Sequence, residues 1–126
     1  MRGRADGKRV ALITNDQAPN LVDTELLRRQ GLAVSEVSGR CFCCRFDQLV
    51  GSIETLVDSE RPELILAEPV GSCTDLSATV IQPWKRLYSK TVEVAPFTVL
   101  ADPERLVEAF SVGNSRKLAD SVYYIV

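Results

Sequence analysis

These 126 residues predict an α/β fold built on a mostly parallel sheet. Three observations carry that reading. Residues 9–15 and 64–67 are short, nearly continuous apolar runs, as expected of strands buried on both faces. Between them, residues 46–60 place Leu49, Val50, Ile53, Leu56 and Val57 on one face of a helix. Strand-like and helix-like segments then alternate along the chain, the signature of a sheet with crossover helices. In such sheets ligands gather at the carboxyl ends of the strands, where Asn15, Asp16 and Glu68 stand.

The elements follow in order. After the strand at 9–15, the run Asp16-Gln17-Ala18-Pro19-Asn20 reads as a loop. Residues 23–30 read as a short helix stopped by Gly31. Residues 32–37 alternate Leu, Val, Val with Ala, Ser, Glu, a strand pattern. Ser38-Gly39-Arg40 opens a loop that leads through three cysteines into the helix at 46–60, which Pro62 ends. After the strand at 64–67, Thr74 or Asp75 can cap a helix reaching Tyr88, with a kink expected at Pro83. Residues 92–100 read as a strand that Pro96 makes irregular or confines to an edge. Asp102-Pro103-Glu104 is a helix start, a cap followed by proline at the first helical position. Residues 116–126 are open between helix and strand, because Val122-Tyr123-Tyr124-Ile125-Val126 has high β-propensity.

Composition narrows the function classes. The chain is 45% hydrophobic and 25% charged, which suits one soluble globular domain rather than a fibrous or disordered chain. No apolar run approaches the ~18 residues of a membrane span. The first residues lack an apolar signal core, so a cytoplasmic location is expected. The net charge of −2 gives no support to nucleic-acid binding, and the N-terminal cluster Arg2, Arg4, Lys8 and Arg9 reads as a solvated end.

Four cysteines and no histidine restrict the chemistry further. Without histidine, the usual general base and commonest metal ligand are missing. Three cysteines fall within four residues, Cys41-Phe42-Cys43-Cys44. Thiolates are soft ligands for zinc and similar ions, and a loop converges three sulfurs more easily than a regular helix does. The following helix N-terminus favours the thiolate form. A fourth ligand would come from water, a carboxylate or a partner protein, an incomplete shell that suits handing metal on. The competing readings are thiol redox chemistry and plain packing. Cys73 reads as structural, although, five residues after Glu68, it is near enough in sequence to reach the face of Glu68.

Other polar residues have two readings each. Glu68 can hold magnesium or orient a water at its strand end, or merely mark where the strand meets solvent. Asp16 can approach a metal or simply begin a loop, and Asp23 is most simply a helix cap.

Together these residues resemble the CobW/HypB/UreG family of P-loop metallochaperone GTPases, nearest its CobW-like branch. Residues 7–16, Gly-Lys-Arg-Val-Ala-Leu-Ile-Thr-Asn-Asp, are similar to the family's second strand running into switch I, where Asn-Glu-Phe-Gly is usual. Asp23 falls where the family has an aspartate. Gly39-Arg40-Cys41-Phe42-Cys43-Cys44 is similar to the Gly-Cys-x-Cys-Cys metal motif. Residues 64–71, Leu-Ile-Leu-Ala-Glu-Pro-Val-Gly, are similar to the Glu-Ser-Thr-Gly magnesium and switch II motif.

The resemblance implies a three-layer P-loop NTPase-type fold and GTP hydrolysis coupled to metal delivery to a client metalloprotein. It makes Cys41, Cys43 and Cys44 metal thiolates, with Asp16 near the ion. It puts Glu68 beside magnesium and the attacking water, and Asn15, Asp23 and Gly71 on the nucleotide side. Asp16-Gln17-Ala18 departs from Glu-Phe-Gly, which suggests a divergent branch.

The 126 residues contain no Gly-x-x-x-x-Gly-Lys-Ser/Thr and no Asn-Lys-x-Asp. They therefore read as a partial domain, 1–126, without the P-loop strand and the guanine-specificity strand. Phosphoryl transfer depends on the phosphate-cradling amides, so this chain alone is expected not to hydrolyse GTP. GTP and magnesium are expected only if the missing segments are supplied. Zinc or another divalent transition metal is the expected ion. A missing central strand would leave sheet edges that favour self-association. The alternatives are a non-hydrolytic metal-binding or regulatory module and a thiol redox sensor.

Overall fold

The computed structural model describes residues 4–5, 7–16, 22–71, 73, 75–95, 98–101, 103, 107 and 122–125. Strand β1 (Arg4–Ala5) turns back antiparallel onto the start of β2 (Lys8–Asp16). Helix α1 (Val22–Arg29) leads to β3 (Ala33–Ser38), and α2 (Phe46–Glu60) leads to β4 (Leu64–Glu68). β2 is central and pairs in parallel with β3 on one side and β4 on the other. The chain thus steps from β2 to β3, then back across β2 to β4. Two right-handed crossovers in opposite directions put their helices on opposite faces of a sheet.

Side-chain alternation agrees. Ala11 and Ile13 of β2, Val37 of β3 and Ala67 of β4 share a core with Leu49, Val50, Ile53 and Leu56 of α2. Each of those four helix residues contributes about 1.5–3 kcal/mol through burial. On the other face, buried Thr14 meets Thr24 of α1 at 3.0 Å between hydroxyls, so neither buried polar group is left unpaired. The same face of β4 leaves Leu64 and Leu66 each 37% exposed.

Local chemistry explains the element ends. Gly31 closes α1 at φ +80°, a conformation open to glycine without steric cost. α2 stops because Arg61 precedes Pro62, which disfavours continued helix. Arg61 instead turns left-handed at φ 47° and donates its N–H to the Val57 carbonyl. Its own carbonyl accepts from Arg9 Nε at 2.9 Å, and the Glu63 N–H donates to the Arg9 carbonyl at 2.9 Å. These contacts fix where β4 starts against β2.

The helix expected to kink at Pro83 takes another route. Asp75 Oδ1 accepts from the Ala78 N–H, as a cap should. Residues Ser77–Ile81 then form a π-helical turn, and Gln82–Leu87 a fresh helix, α3. In a continuous α-helix Pro83 would lack a donor and clash with the preceding turn. The widened turn places it in the first turn of α3, where neither cost arises. Trp84 and Tyr88 stack toward Phe46 of α2, with ring centroids 5.1–6.4 Å apart.

The strand expected over 92–100 is shorter. Residues 92–95 have no regular structure, and the Val92 carbonyl accepts from Trp84 Nε1 at 3.2 Å instead of from a ladder. The strand is β5 (Thr98–Ala101), paired antiparallel with β6 (Val122–Ile125). That pairing resolves the C-terminal segment as strand at its end. Pro103 and Val107 are helical. The loop expected over 17–20 and the segment 108–121 lie outside the described residues.

Among the described residues no helix is long and apolar enough to cross a membrane. The sequence and this architecture agree: a small α/β unit with a three-strand parallel core and helices, consistent with an incomplete P-loop NTPase-type fold.

Candidate metal centre

The cysteine loop joins the carboxyl end of β3 to the first turn of α2. Gly39 opens it at φ +87°, and nothing lies within 4 Å of where a Cβ would stand. Glycine is therefore required by backbone conformation rather than by space. The N–H groups of Cys44 and Arg45 both donate to the Cys41 carbonyl, at 3.0 and 3.1 Å, curling the loop into a turn. Phe42 is fully buried beneath it. Plugging Phe42 inward leaves its neighbours Cys41 and Cys43 half-buried and Cys44 exposed.

The three sulfurs converge. Cys41 Sγ lies 2.7 Å from Cys43 Sγ and 3.4 Å from Cys44 Sγ, and Cys43 and Cys44 are 3.9 Å apart. Four sulfurs around a tetrahedral ion with bonds of about 2.3 Å sit about 3.8 Å apart. The 3.4 and 3.9 Å edges are near that spacing, and the 2.7 Å edge opens by about 1 Å to admit one soft divalent ion.

Proximity also polarises the thiols. The hydrogen bond from the Cys43 thiol outweighs burial and holds Cys41 down to about 7. Donating to Cys41 pushes Cys43 up to about 11, with burial adding to the shift. Its hydrogen bonds with Cys41 and Cys43 push Cys44 up to about 11 as well. A readily ionised thiol packed beside two others is a natural starting state for metal capture, in which the ion displaces the remaining protons.

Asn15 organises the surroundings. At the carboxyl end of β2, its Nδ2 donates to the carbonyls of Val37 and Arg40, both at 2.8 Å. Its Oδ1 accepts from the N–H of Phe42 at 3.1 Å and of Val70 at 3.3 Å. One side chain thus ties β3, the cysteine loop and the segment after β4 together. Sequence reasoning placed Asn15 near nucleotide; the structure commits both ends of its amide to backbone groups.

The other expected site residues sit at the same end of the sheet in different settings. Glu68 ends β4 and is exposed, opposite Thr14 in register. Alternation puts it on the α1 face, away from the sulfurs. Gly71 lies exposed in the segment after β4, one residue past Val70. Asp16 ends β2 opposite Ser38, and Asp23 lies in the first turn of α1. The side chains of Asp16 and Asp23 lie outside the described residues.

Cys73 is the residue whose setting the sequence missed. Read as structural, it is buried, yet its Sγ lies 3.5 Å from Cys43 Sγ. Burial pushes its thiol up. The signal available in sequence was its position just past a strand end neighbouring β2.

The CobW/HypB/UreG nucleotide-binding domain family matches residues 2–124 of the chain. No curated protein and no solved structure matches it. The family match spans the parallel strands, the cysteine loop and the segment after β4, which are the parts that build the centre just described. This chain belongs to the CobW/HypB/UreG nucleotide-binding domain family.

Proposed function

We propose that this chain is the middle part of a CobW-like, GTP-dependent metallochaperone. Its Cys41, Cys43 and Cys44 loop carries a divalent transition metal, zinc or cobalt, for a client metalloprotein. The observation that carries the reading is the convergence of three sulfurs, all within 4.8 Å of one another, at the ligand-binding end of a parallel sheet. The metal is cargo here. The exposed member, Cys44, is the thiolate at which a client's ligand can take over.

In this reading Glu68 serves magnesium and the attacking water, with Asn15, Asp23 and Gly71 on the nucleotide side and Asp16 near the ion. GTP and magnesium belong to the domain only when the phosphate-cradling and guanine-reading segments are supplied. Exposed Leu64 and Leu66 support self-association. The cytoplasm, where thiols stay reduced, is the proposed location. The absence of a Gly-x-x-x-x-Gly-Lys-Ser/Thr motif in these 126 residues favours, as a second reading, a metal-binding or regulatory module that does not hydrolyse GTP.

Elemental analysis of the purified chain tests the metal role, beside a variant carrying Cys41→Ser, Cys43→Ser and Cys44→Ser. Near-stoichiometric metal lost in the variant is the expected result. No metal in either protein, with free reactive thiols, overturns it and leaves thiol redox sensing. GTP turnover by the chain alone is expected to match the buffer blank, and metal-dependent turnover would refute the incomplete-site reading.

A further inference from the structure

We propose that Cys73 is a fourth thiolate of the metal centre, closing on the buried side the shell that the cysteine loop leaves open. The proposal rests on the three-cysteine reading above and goes beyond it, making the site a four-sulfur centre drawn from two loops.

The first support is distance. Cys73 Sγ stands 3.5 Å from Cys43 Sγ, within the 2.7–3.9 Å range that relates the loop sulfurs to one another. That edge matches the ~3.8 Å spacing of a tetrahedral four-sulfur shell. Among the described residues only Cys41, Cys43 and Cys44 lie mutually within 4.8 Å, so at least one edge from Cys73 shortens as the ion binds. The second is placement. Cys73 is 4% exposed, whereas Cys44 is exposed, so the four sulfurs run from the buried interior to the surface. The third is how the backbone holds it. The Cys73 N–H donates to the Val70 carbonyl at 2.9 Å, and the Val70 N–H donates to Asn15 Oδ1. The same Oδ1 accepts from Phe42, between Cys41 and Cys43. Both cysteine-bearing segments therefore hang from one atom of β2, which sets their separation.

A packing role asks only that Cys73 be small and apolar. A ligand role asks for sulfur at this position, and the two separate by substitution.

The test uses the full chain with cobalt(II) and zinc(II) as probes. Thiolate-to-cobalt charge-transfer absorption grows with each sulfur bound, and X-ray absorption at the zinc edge counts sulfurs directly. The wild-type chain is expected to show four sulfurs. Cys73→Val, which keeps the buried volume apolar, and Cys73→Ser should each show three sulfurs plus a lighter atom. Charge-transfer intensity should fall by about a quarter and metal affinity by at least about tenfold, since even changes outside the ligand shell cost that much. Three sulfurs in the wild type, with spectra unchanged in both variants, overturn the fourth ligand and leave the three-cysteine site standing. Failure of the wild type to bind either metal overturns both. The sulfur count on the wild type decides the question even where a variant folds poorly.

Discussion

Replacing Asn15 with alanine removes four hydrogen bonds at once, to Val37, Arg40, Phe42 and Val70. Each such bond contributes about 0.5–1.5 kcal/mol net, and a buried partner left unpaired adds to the loss. The Arg40 carbonyl is solvent-exposed and regains water, and the Val70 contact at 3.3 Å is long. The remaining two are short and partly buried. We therefore expect Asn15→Ala to cost about 2–4 kcal/mol. For a domain whose total stability is of order 5–15 kcal/mol, that loss is large. It should lower the melting temperature by roughly 10 °C. Asn15→Asp keeps the acceptor but turns an oxygen toward two carbonyls, so it should fall at least as far. Thermal and urea denaturation of the metal-free chain measure both. Melting within about 2 °C of wild type for Asn15→Ala would falsify the view that this side chain holds the two loops together.

Two further outcomes follow from the geometry. In the metal-free chain the hydrogen bond with the Cys43 thiol holds Cys41 down, so it ionises as pH rises through about 7, while Cys43 and Cys44 stay protonated until about 11. At pH ~8 iodoacetamide should therefore label Cys41 before the more exposed Cys44, because the thiolate is the nucleophile; peptide mass mapping showing Cys44 labelled first would refute this. The same substitution should have opposite signs at two glycines. Gly39→Ala, at φ +87°, is expected to destabilise by about 1–2 kcal/mol, whereas Gly51→Ala, inside α2 with nothing within 4 Å of the new methyl, should stabilise by about 0.5–1 kcal/mol. Denaturant midpoints that move in the same direction for both would contradict the argument.

How much of this was legible in sequence depended on how local the determinant is. The helix over Phe46–Glu60 was readable to its ends because five apolar residues mark one face and Pro62 marks the stop. The strands containing Ile13 and Ala67 were readable because their runs are apolar on both faces. The cysteine loop was readable because its sulfurs are neighbours in the chain. Cys73 was not, since it lies 30 residues from Cys43 and only the crossover from β3 to β4 brings them together. The contacts of Asn15 were hidden for the same reason: its partners come from residues 37, 40, 42 and 70, and spacing says nothing of them. The π-helical turn escaped because proline announces a disturbance without saying which way the backbone yields.

Asn15 Oδ1 has two lone pairs and two backbone claimants, one on each loop. It works as a junction between two segments that otherwise belong to different crossovers. Whatever shifts the Val70 side changes what the Phe42 side experiences, and the exchange runs equally in reverse, since linkage between binding events is reciprocal. Coupling between linked sites is typically about 1–3 kcal/mol, a factor of roughly 5–150 in affinity. Under the proposed function, coupling of that size separates a tightly held ion from one a client can take.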